Sequence, residues 1–266
     1  MQATSLRRAF AESAEILLAG AAGAWRWLHF GAEALVAALS PSTYTAPVRA
    51  LAARQVCSSA WEILPGFVVV CALLSWLVIG IVDSTARDFG LSGYALDLFV
   101  RLLVLELIPL FVALFVALRS GAAIGTEVAL MRVRGGLDAV RGEGADPMRA
   151  ELLPRGIGVA VSVLALTAIG ILVALVMAYV GLYGLSPWGH AAFSRAIGQV
   201  FAPMEMAGLT LKVAFFALAV AVIPVVASVG GSRDLRSVPD AAPRGLVRLF
   251  VSLALVEAAS LALKYA

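Results

Sequence analysis

Glu106 and Pro109 interrupt an almost entirely apolar run that extends from Leu98 to Leu118. Glu106 lies about eight residues into this run, which is roughly 12 Å along a helix that rises 1.5 Å per residue. A carboxylate at such depth costs on the order of 2.5 to 3.5 kcal/mol on membrane-insertion scales, and it usually faces a cavity or a polar partner. Pro109 has no amide hydrogen, so it frees the carbonyl of Leu105 and permits a kink beside the acid. The stretch therefore predicts a polar contact deep inside a membrane.

Two interpretations of Glu106 are compatible with the sequence. In the first, Glu106, Leu105 and Pro109 line a hydrated cavity between helices. In the second, a protonated Glu106 forms a hydrogen bond between helices and has a structural role only. Arg101 is a poor partner because it lies five residues away, about 140° around an α-helix. Glu257, in another apolar run, could join the cavity or contact Lys212 or a neighbouring hydroxyl.

The chain has the composition of an integral membrane protein. Of its 266 residues, 62% are hydrophobic and only 14% are charged, and its mean hydropathy is +0.97. An ordinary soluble domain is about half apolar and about a quarter charged. Because long apolar runs satisfy their backbone groups only as helices, we expect an all-α fold rather than a barrel.

Five apolar runs approach or exceed the length needed to cross a hydrocarbon core about 30 Å thick. They cover Leu64 to Val82, Leu98 to Leu118, Ile157 to Tyr183, Leu209 to Val229 and Leu246 to Leu263. Residues 1–62 instead combine apolar positions with recurring charges and with tryptophans at 25 and 27, which predicts interfacial amphipathic helices. The chain is therefore expected to consist of an N-terminal interfacial segment, residues 1–62, and a five-span transmembrane domain, residues 63–266.

The distribution of basic residues predicts the orientation. If the N-terminus is cytoplasmic, the cytoplasmic segments contain fifteen of the chain's 20 basic residues. The external segments then keep only Arg87, Arg101, Arg195, Lys212 and Lys264. This excess on one side favours a cytoplasmic N-terminus, and five spans then place the C-terminus outside.

Several other functions have little support in the sequence. Each strongly basic segment flanks a span, so its charge has a topological explanation and nucleic-acid binding is not expected. His29 and His190 have no nearby set of cysteines or carboxylates, so we expect no metal site. The chain contains no G-x-x-x-x-G-K-[ST] phosphate loop and no Gly-Lys pair, so it has no ATPase motif of its own.

The segment between the second and third spans, residues 119–156, is more apolar than is usual for a loop that only connects two spans. Ala122 to Val133 contains helix formers and displays Glu127 and Arg132, and Gly135-Gly136 then breaks the pattern. A short helix parallel to the membrane would make these residues a docking surface for a cytoplasmic partner. A surface loop with helical content and no partner is the alternative.

Two stretches carry a resemblance to a known family: "ELIPLFVALFVALRSGAAIGTEVALMRV" and, after a short interval, "GADPMRAELLPRGIGVAVSVLALT". Together they resemble the hallmark region of MlaE-type (YrbE-type) permeases of MCE-linked ABC transporters. That region opens with E-L-G-P, continues with A-G-R-x-G-x-A-x-x-A-E-x-G-x-M and closes with V-D-P and P-R. The matching positions here are Glu106, Pro109, Arg119, Gly121, Glu127, Met131, Asp146, Pro147, Pro154 and Arg155.

The chain also departs from the family pattern. Ile108 replaces the glycine of E-L-G-P, and Leu118 replaces the glycine of A-G-R. The family's glycine-rich segment near the last span is represented only by "SVPDAAPRG". The resemblance, which covers about 65 residues from Leu105 to Gly170, is therefore to a divergent member of the family.

The resemblance implies a permease subunit that moves phospholipid or a related lipid in the bacterial inner membrane, without covalent catalysis. It also implies that the cavity lined by Glu106, Leu105 and Pro109 lies in a dimer, opens to the outer leaflet and receives the polar head of the lipid. The implied partners are a second permease copy or paralogue, a pair of cytoplasmic ABC ATPase subunits that bind ATP and Mg²⁺, a periplasmic MCE-domain protein and membrane lipid. The helix around Glu127 would couple to the ATPase, with Arg119, Met131, Asp146 and Pro147 contributing. Trp188 and His190 would lie on an outer interfacial helix, where the MCE protein could rest.

Two other functions remain open. Glu106 and Glu257 could carry protons in a secondary transporter, although the five spans show no internal repeat of the kind usual in such carriers. The chain could also be a membrane scaffold that transports nothing.

Overall fold

A computed structural model of the chain describes residues 63–142, 144, 146–229 and 238–265, together with residues 50, 53 and 54. Within these residues the secondary structure consists of helices joined by short turns, and no strand occurs. The interfacial helices predicted for residues 1–62 lie almost entirely outside the described part of the chain.

The main helices of the described residues are numbered α1 to α7 in chain order. They are α1 (Leu64–Asp88), α2 (Ala95–Val133), α3 (Gly136–Gly142), α4 (Leu153–Tyr183), α5 (His190–Val200), α6 (Pro203–Val229) and α7 (Val238–Tyr265). Short helical turns precede α2 (Ser92–Tyr94), α4 (Met148–Leu152) and α5 (Pro187–Gly189). Helices α1, α2, α4, α6 and α7 are long and apolar enough to cross a membrane, which confirms the predicted all-α fold with five spans.

Proline and glycine determine several helix boundaries. Pro65 and Pro154 lie in the first turns of α1 and α4, and α6 begins at Pro203. Proline is favourable there because its fixed φ angle suits a helix and its missing amide hydrogen would have had no intrahelical partner. After α4, Gly184 adopts a φ of 63°, a left-handed conformation that glycine reaches without steric cost. These local signals explain why α1 begins at Leu64 and α4 ends at Tyr183, as predicted.

Helix α2 is longer than the predicted second span. The Ala122–Val133 segment, predicted as a separate short helix, is its direct continuation, and two stretches of α2 have π-helical geometry, Val100–Leu107 and Ala117–Gly121. Gly121 does not end the helix because it is a packing site, where an added Cβ would lie 3.3 Å from Cγ of Pro224. The 39 residues of α2 would extend roughly 58 Å if straight, about twice the hydrocarbon thickness. Part of α2 therefore projects beyond the membrane or runs oblique to it.

Helix α7 begins earlier than the sequence predicted. Glycines and prolines such as those at 229–245 are typical of a loop, but α7 already begins at Val238 and includes Pro243. The second residue of α7 is Pro239, and proline in a first turn starts a helix rather than ending one. The prolines that predicted a loop are thus partly helix-starting residues.

The helices α1, α4, α6 and α7 pack side by side in that order, and α2 packs across α4, α6 and α7. A stripe of small residues on α4 is buried in these contacts: Gly158, Ser162, Gly170, Ala174 and Ala178. At Gly170 an added Cβ would lie 3.0 Å from Ile108 of α2 and 3.3 Å from Phe67 of α1. Small residues at this face therefore allow three helices to approach closely, as is typical of helix packing in membranes.

A candidate functional site in the charged cluster of α2, α6 and α7

Seven charged side chains from three membrane-spanning helices form one connected set, which we call the charge network. Each member is joined to the next by at least one ion pair, and together the pairs link α2, α6 and α7. The members are Asp97, Arg101 and Glu106 of α2, Glu205 and Lys212 of α6, and Glu257 and Lys264 of α7.

Glu106 is at the centre of the charge network. Its Oε2 is hydrogen-bonded to Nζ of Lys212, and its Oε1 accepts a hydrogen bond of 3.0 Å from Nζ of Lys264. Each carboxylate oxygen thus has its own ammonium partner, one from α6 and one from α7. Glu106 is only 9% exposed, so this paired arrangement replaces the hydration that a buried carboxylate loses.

Lys212 is the most deeply buried charge of the network, with 4% exposure. Besides Glu106, it donates a hydrogen bond of 2.9 Å to Oε1 of Glu257 and one of 3.4 Å to the carbonyl of Leu105. This carbonyl is the one that Pro109 was predicted to free, because it lies four residues before the proline. Lys212, on α6, donates a hydrogen bond to this carbonyl. Its ammonium group therefore connects two carboxylates and one backbone carbonyl.

The network becomes more exposed away from Lys212. Nζ of Lys264 lies 3.2 Å from Oε2 of Glu205, and Nη1 of Arg101 lies 3.3 Å from Oε1 of the same carboxylate. Arg101 also contacts Asp97 at 3.1 Å. Side-chain exposure is 3% at Lys212, 11% at Glu106 and 38% at Arg101. The pairs therefore form a continuous polar path from the partly exposed ends of the helices to their buried interior.

Regular spacing on α6 and α7 places two charged residues of each helix on one face. Glu205 and Lys212 are seven residues apart, as are Glu257 and Lys264. Seven residues make nearly two full turns, about 10.5 Å along the axis, so both members of each pair point in a similar direction. On α2 the corresponding charges fall in and beside the π-helical stretch Val100–Leu107, whose wider turns alter the angle of 140° expected for an α-helix.

Lys212 and Lys264 are both predicted among the external basic residues, and the structure places Lys212 inside α6. Lys212 lies in the tenth position of α6, buried against α2 and α7. A signal was present in the sequence: these are the chain's two lysines, both seven residues after a glutamate, and all other basic residues are arginine. The proposed contact between Glu257 and Lys212, by contrast, is found. Arg101 enters the network through Glu205.

A second set of charged residues connects the C-terminal part of α2 to the start of α4. Arg155 in the first turn of α4 lies 3.6 Å from Oε2 of Glu127 and 2.8 Å from Oε2 of Glu151. The Arg155 side chain is 14% exposed, whereas that of Glu127 is 59% exposed. The Ala122–Val133 segment packs against α6 and α7 through a buried face formed by Ile124, Gly125, Val128 and Ala129. One face of the segment is therefore fixed to the bundle while Glu127 remains accessible.

The other residues predicted to couple to an ATPase lie around this segment. Arg119 is exposed and Met131 is partly buried, both on α2. Asp146 is exposed and its carbonyl accepts a hydrogen bond of 2.9 Å from the amide of Ala150, while Pro147 is buried. Arg119, the one of these residues nearest to Glu106 in the chain, is 13 residues away along α2, or more than three helical turns. The structure therefore contains two distinct polar regions.

The predicted outer helix is α5. His190 is its first residue, and Trp188 in the preceding turn is 91% exposed. The apolar face of α5 packs on α4, where the ring of Phe193 lies 5.1 Å from that of Tyr179. The Tyr179 hydroxyl donates a hydrogen bond of 2.6 Å to the carbonyl of Ser186. This turn is thus held against α4 while Trp188 points away from the bundle.

Comparison with known proteins identifies the family of this bundle. The chain is 31% identical over 119 residues to a protein of Rickettsia conorii named "Probable ABC transporter permease protein", a match that covers 44% of this chain and 46% of that protein. It is 27% identical over 172 residues to proteins of the same description from Rickettsia prowazekii and Rickettsia felis, with 64% of this chain and 66% of each relative covered. The matches thus span about half to two thirds of the length of these relatives.

The model of one permease family matches most of the chain. The family is described as "Permease MlaE", and the match extends over residues 52–263. It includes the first four spans, the fifth span up to residue 263, the Ala122–Val133 segment and every member of the charge network except Lys264, which lies one residue beyond the match. The chain therefore belongs to the MlaE family of permeases.

Proposed function

We propose that this protein is the membrane-spanning permease subunit of an ABC transporter that moves phospholipid or a related lipid between the bacterial inner membrane and a periplasmic MCE-domain protein. Membership of the MlaE family and the names of the Rickettsia relatives support the ABC transporter class. The observation that carries the lipid assignment is the charge network, in which Glu106 and Lys212 are buried together inside an apolar bundle.

Stability alone is a poor explanation of the network. Desolvating several charges is expensive, and replacing a buried ion pair with apolar residues of similar volume is often neutral or stabilising. Ionisable residues in membrane spans usually mark the path of a substrate or an ion. A lipid headgroup needs such a polar surface, while its acyl chains need an apolar one. Exposed apolar residues flank the network on α6 and α7, among them Leu211, Val251 and Leu255.

In this proposal Glu106, Leu105 and Pro109 line the headgroup site. The carbonyl of Leu105 and the carboxylate of Glu106 both accept a hydrogen bond from Lys212. A headgroup that binds Lys212 would therefore compete with both hydrogen bonds. A second permease copy or paralogue would close the site on the open side of α7. Only 11% of the residues in the most apolar part of α7 are buried within this chain.

The proposed transport is driven by a separate ATPase that binds ATP and Mg²⁺. The accessible Glu127, supported by Arg155, would contact this subunit, together with Arg119, Met131, Asp146 and Pro147. With the cytoplasmic N-terminus favoured by the arginine distribution, the Ala122–Val133 segment faces the ATPase. The charge network then lies toward the periplasm, where the C-terminus and the MCE partner are placed.

A proton-coupled secondary transporter is the second candidate, and one observation favours it. Glu106 and Glu257 both contact Lys212. Two carboxylates that share one ammonium group could exchange a proton. This function would need no ATPase subunit.

The decisive experiment is purification of the chain from native membranes followed by mass spectrometry of proteins and lipids. An ATPase, an MCE-domain protein and bound lipid are expected to co-purify, and lipid transfer by the reconstituted complex should require ATP hydrolysis. Uptake by the isolated chain that follows an ion gradient would support the secondary transporter instead. A chain that purifies with neither partner nor lipid would overturn the proposal.

A further inference from the structure

The four most buried members of the charge network have balanced formal charges. Glu106 and Glu257 contribute two carboxylates, and Lys212 and Lys264 contribute two ammonium groups. Their side chains are between 3% and 20% exposed, so water screens them only in part. Any additional charge placed among them would lack a counter-charge in surroundings where an unpaired charge is costly.

The more exposed members do not supply an excess cation. Asp97 and Arg101 form a pair with each other, and Glu205 then adds one more carboxylate. Glu205 is already shared by Arg101 and Lys264, so these two cations each divide their charge between two carboxylates. The seven residues together contain four carboxylates and three cations, an arrangement that opposes a ligand with a net negative charge.

One acceptor of this network has no hydrogen bond within the described residues. Nζ of Lys212 lies 2.9 Å from both carboxylate oxygens of Glu257, and its hydrogen bond is to Oε1, so Oε2 has an ion-pair contact with the same ammonium group but no hydrogen bond of its own. An ammonium or hydroxyl group of a ligand would supply a donor for Oε2. Lys212 and Lys264 each have two carboxylate partners. Each lysine can therefore pair with an anionic group of the ligand in place of one carboxylate and keep the other.

We infer that the charge network selects lipids whose headgroup carries both an anion and a cation and is neutral overall, such as phosphatidylethanolamine, over anionic lipids such as phosphatidylglycerol. The inference rests on the proposed lipid-transport function and specifies its substrate class. The phosphate of a zwitterionic headgroup replaces one carboxylate as the partner of Lys212 or Lys264. The ammonium group of the headgroup then pairs with the carboxylate that has lost its lysine. Charge balance is retained throughout the exchange.

The test uses the whole complex, purified with its partners and equilibrated with vesicles containing equal amounts of phosphatidylethanolamine and phosphatidylglycerol. Lipid retained by the complex is then quantified by mass spectrometry. We expect phosphatidylethanolamine to be enriched about fivefold or more, because an unbalanced unit charge in partly buried surroundings changes affinity by at least this order. Retention of both lipids at the vesicle ratio would overturn the inference and leave the proposed function intact.

Charge-changing variants make the test specific. Glu257→Gln gives the four buried residues a net positive charge and should shift the retained lipid toward phosphatidylglycerol. Glu205→Gln changes the charge by the same amount at a more exposed position and replaces Glu257→Gln if that variant does not assemble. Asp138→Asn is the matched control, because it removes one carboxylate from α3, beyond the far end of α2. An unchanged lipid ratio in the glutamate variants would contradict the inference. Absence of any bound lipid in the unmodified complex would overturn the proposed function as well.

Discussion

Nζ of Lys264 lies 3.0 Å from Oε1 of Glu106, although the two residues are 158 positions apart in the chain. This contact joins the last turn of α7 to the π-helical stretch of α2. Few residues of the α7 span are buried within the chain, and its ion pairs with α2 and α6 are concentrated at this end. The charge network therefore holds in place the helix with the smallest buried fraction among the spans.

The variant Glu106→Gln should lose most lipid transport while the complex still assembles. Glutamine keeps an acceptor for one lysine, and Lys212 retains Glu257, so the fold loses one charge rather than all its polar contacts. We expect transport to fall by about tenfold or more, which corresponds to roughly 1.4 kcal/mol. The measurement is ATP-driven lipid transfer in proteoliposomes, with complex yield as the control for assembly. Full transport by the variant would favour a purely structural role for Glu106.

Lys212→Met should destabilise the chain more than Lys264→Met does. Removing Lys212 leaves Glu106 and Glu257 facing each other with one cation fewer at the most buried point of the network, and losses of this kind cost about 3 to 5 kcal/mol in protein interiors. Lys264 is more exposed, so water compensates part of its loss. Thermal unfolding in detergent compares the two variants directly. The double variant Lys212→Met with Glu257→Gln should recover part of the loss. Equal unfolding temperatures for the two single variants would contradict this role of Lys212.

Reversing the charge of Arg155 should uncouple ATP hydrolysis from transport. Arg155 lies between Glu127 and Glu151, so Arg155→Glu repels both and releases the accessible Glu127 from its position. Because Glu127 is largely exposed, its pair with Arg155 contributes about 1 kcal/mol or less to stability. The expected result is a lower amount of lipid moved per ATP hydrolysed, together with a lower unfolding temperature, because Arg155 itself is largely buried.

The double variant Arg155→Glu with Glu127→Arg is the internal control for this prediction. It restores the attraction between positions 127 and 155 and should recover part of the amount of lipid moved per ATP hydrolysed. The repulsion between Glu151 and the acid at position 155 persists, so recovery is not complete. Arg87→Glu, at an exposed pair near the end of α1, changes charge equally and should leave the ratio unaltered. If the double variant is no better coupled than Arg155→Glu alone, the pair does not position Glu127.

Gly170→Ala should destabilise the bundle, whereas Gly80→Ala should not. A Cβ at position 170 would lie 3.0 Å from Ile108 and 3.3 Å from Phe67, so two buried side chains on other helices would have to shift. Overpacking of this kind costs about 1 to 3 kcal/mol. At Gly80 nothing lies within 4 Å of the added atom, and alanine is a better helix former by about 1 kcal/mol. Unfolding temperatures measured in the same detergent separate the two variants, and a stabilising Gly170→Ala would refute the close packing at this point.

The sequence was sufficient for the number, type and approximate position of the spans. Each span is a long apolar run whose backbone can be satisfied only within a helix, and this requirement is local. Pro65, Pro154 and Gly184 act through their own backbone preferences, so their effects on helix ends were also predictable. The π-helical stretches of α2 and the early start of α7 were not, because they depend on packing against neighbouring helices.

The composition of the charge network could be read from the sequence only in part. The depth of Glu106 and the loss of an intrahelical bond at Pro109 follow from positions along a single helix. The sequence also contained the seven-residue spacing of glutamate and lysine on α6 and α7, which marks one face of each helix. The spacing does not show which way those faces point relative to α2. The sequence therefore places Lys212 among the external basic residues.

By itself, the sequence determined that this protein is a bundle of five membrane-spanning helices with an acid inside one of them, because hydrophobic length and proline geometry act within a few residues. Only the tertiary structure decided that the acid is paired with lysines from two other helices. Ion pairs form between side chains within about 4 Å in space, and which residues come that close depends on how whole helices pack rather than on their separation in the chain.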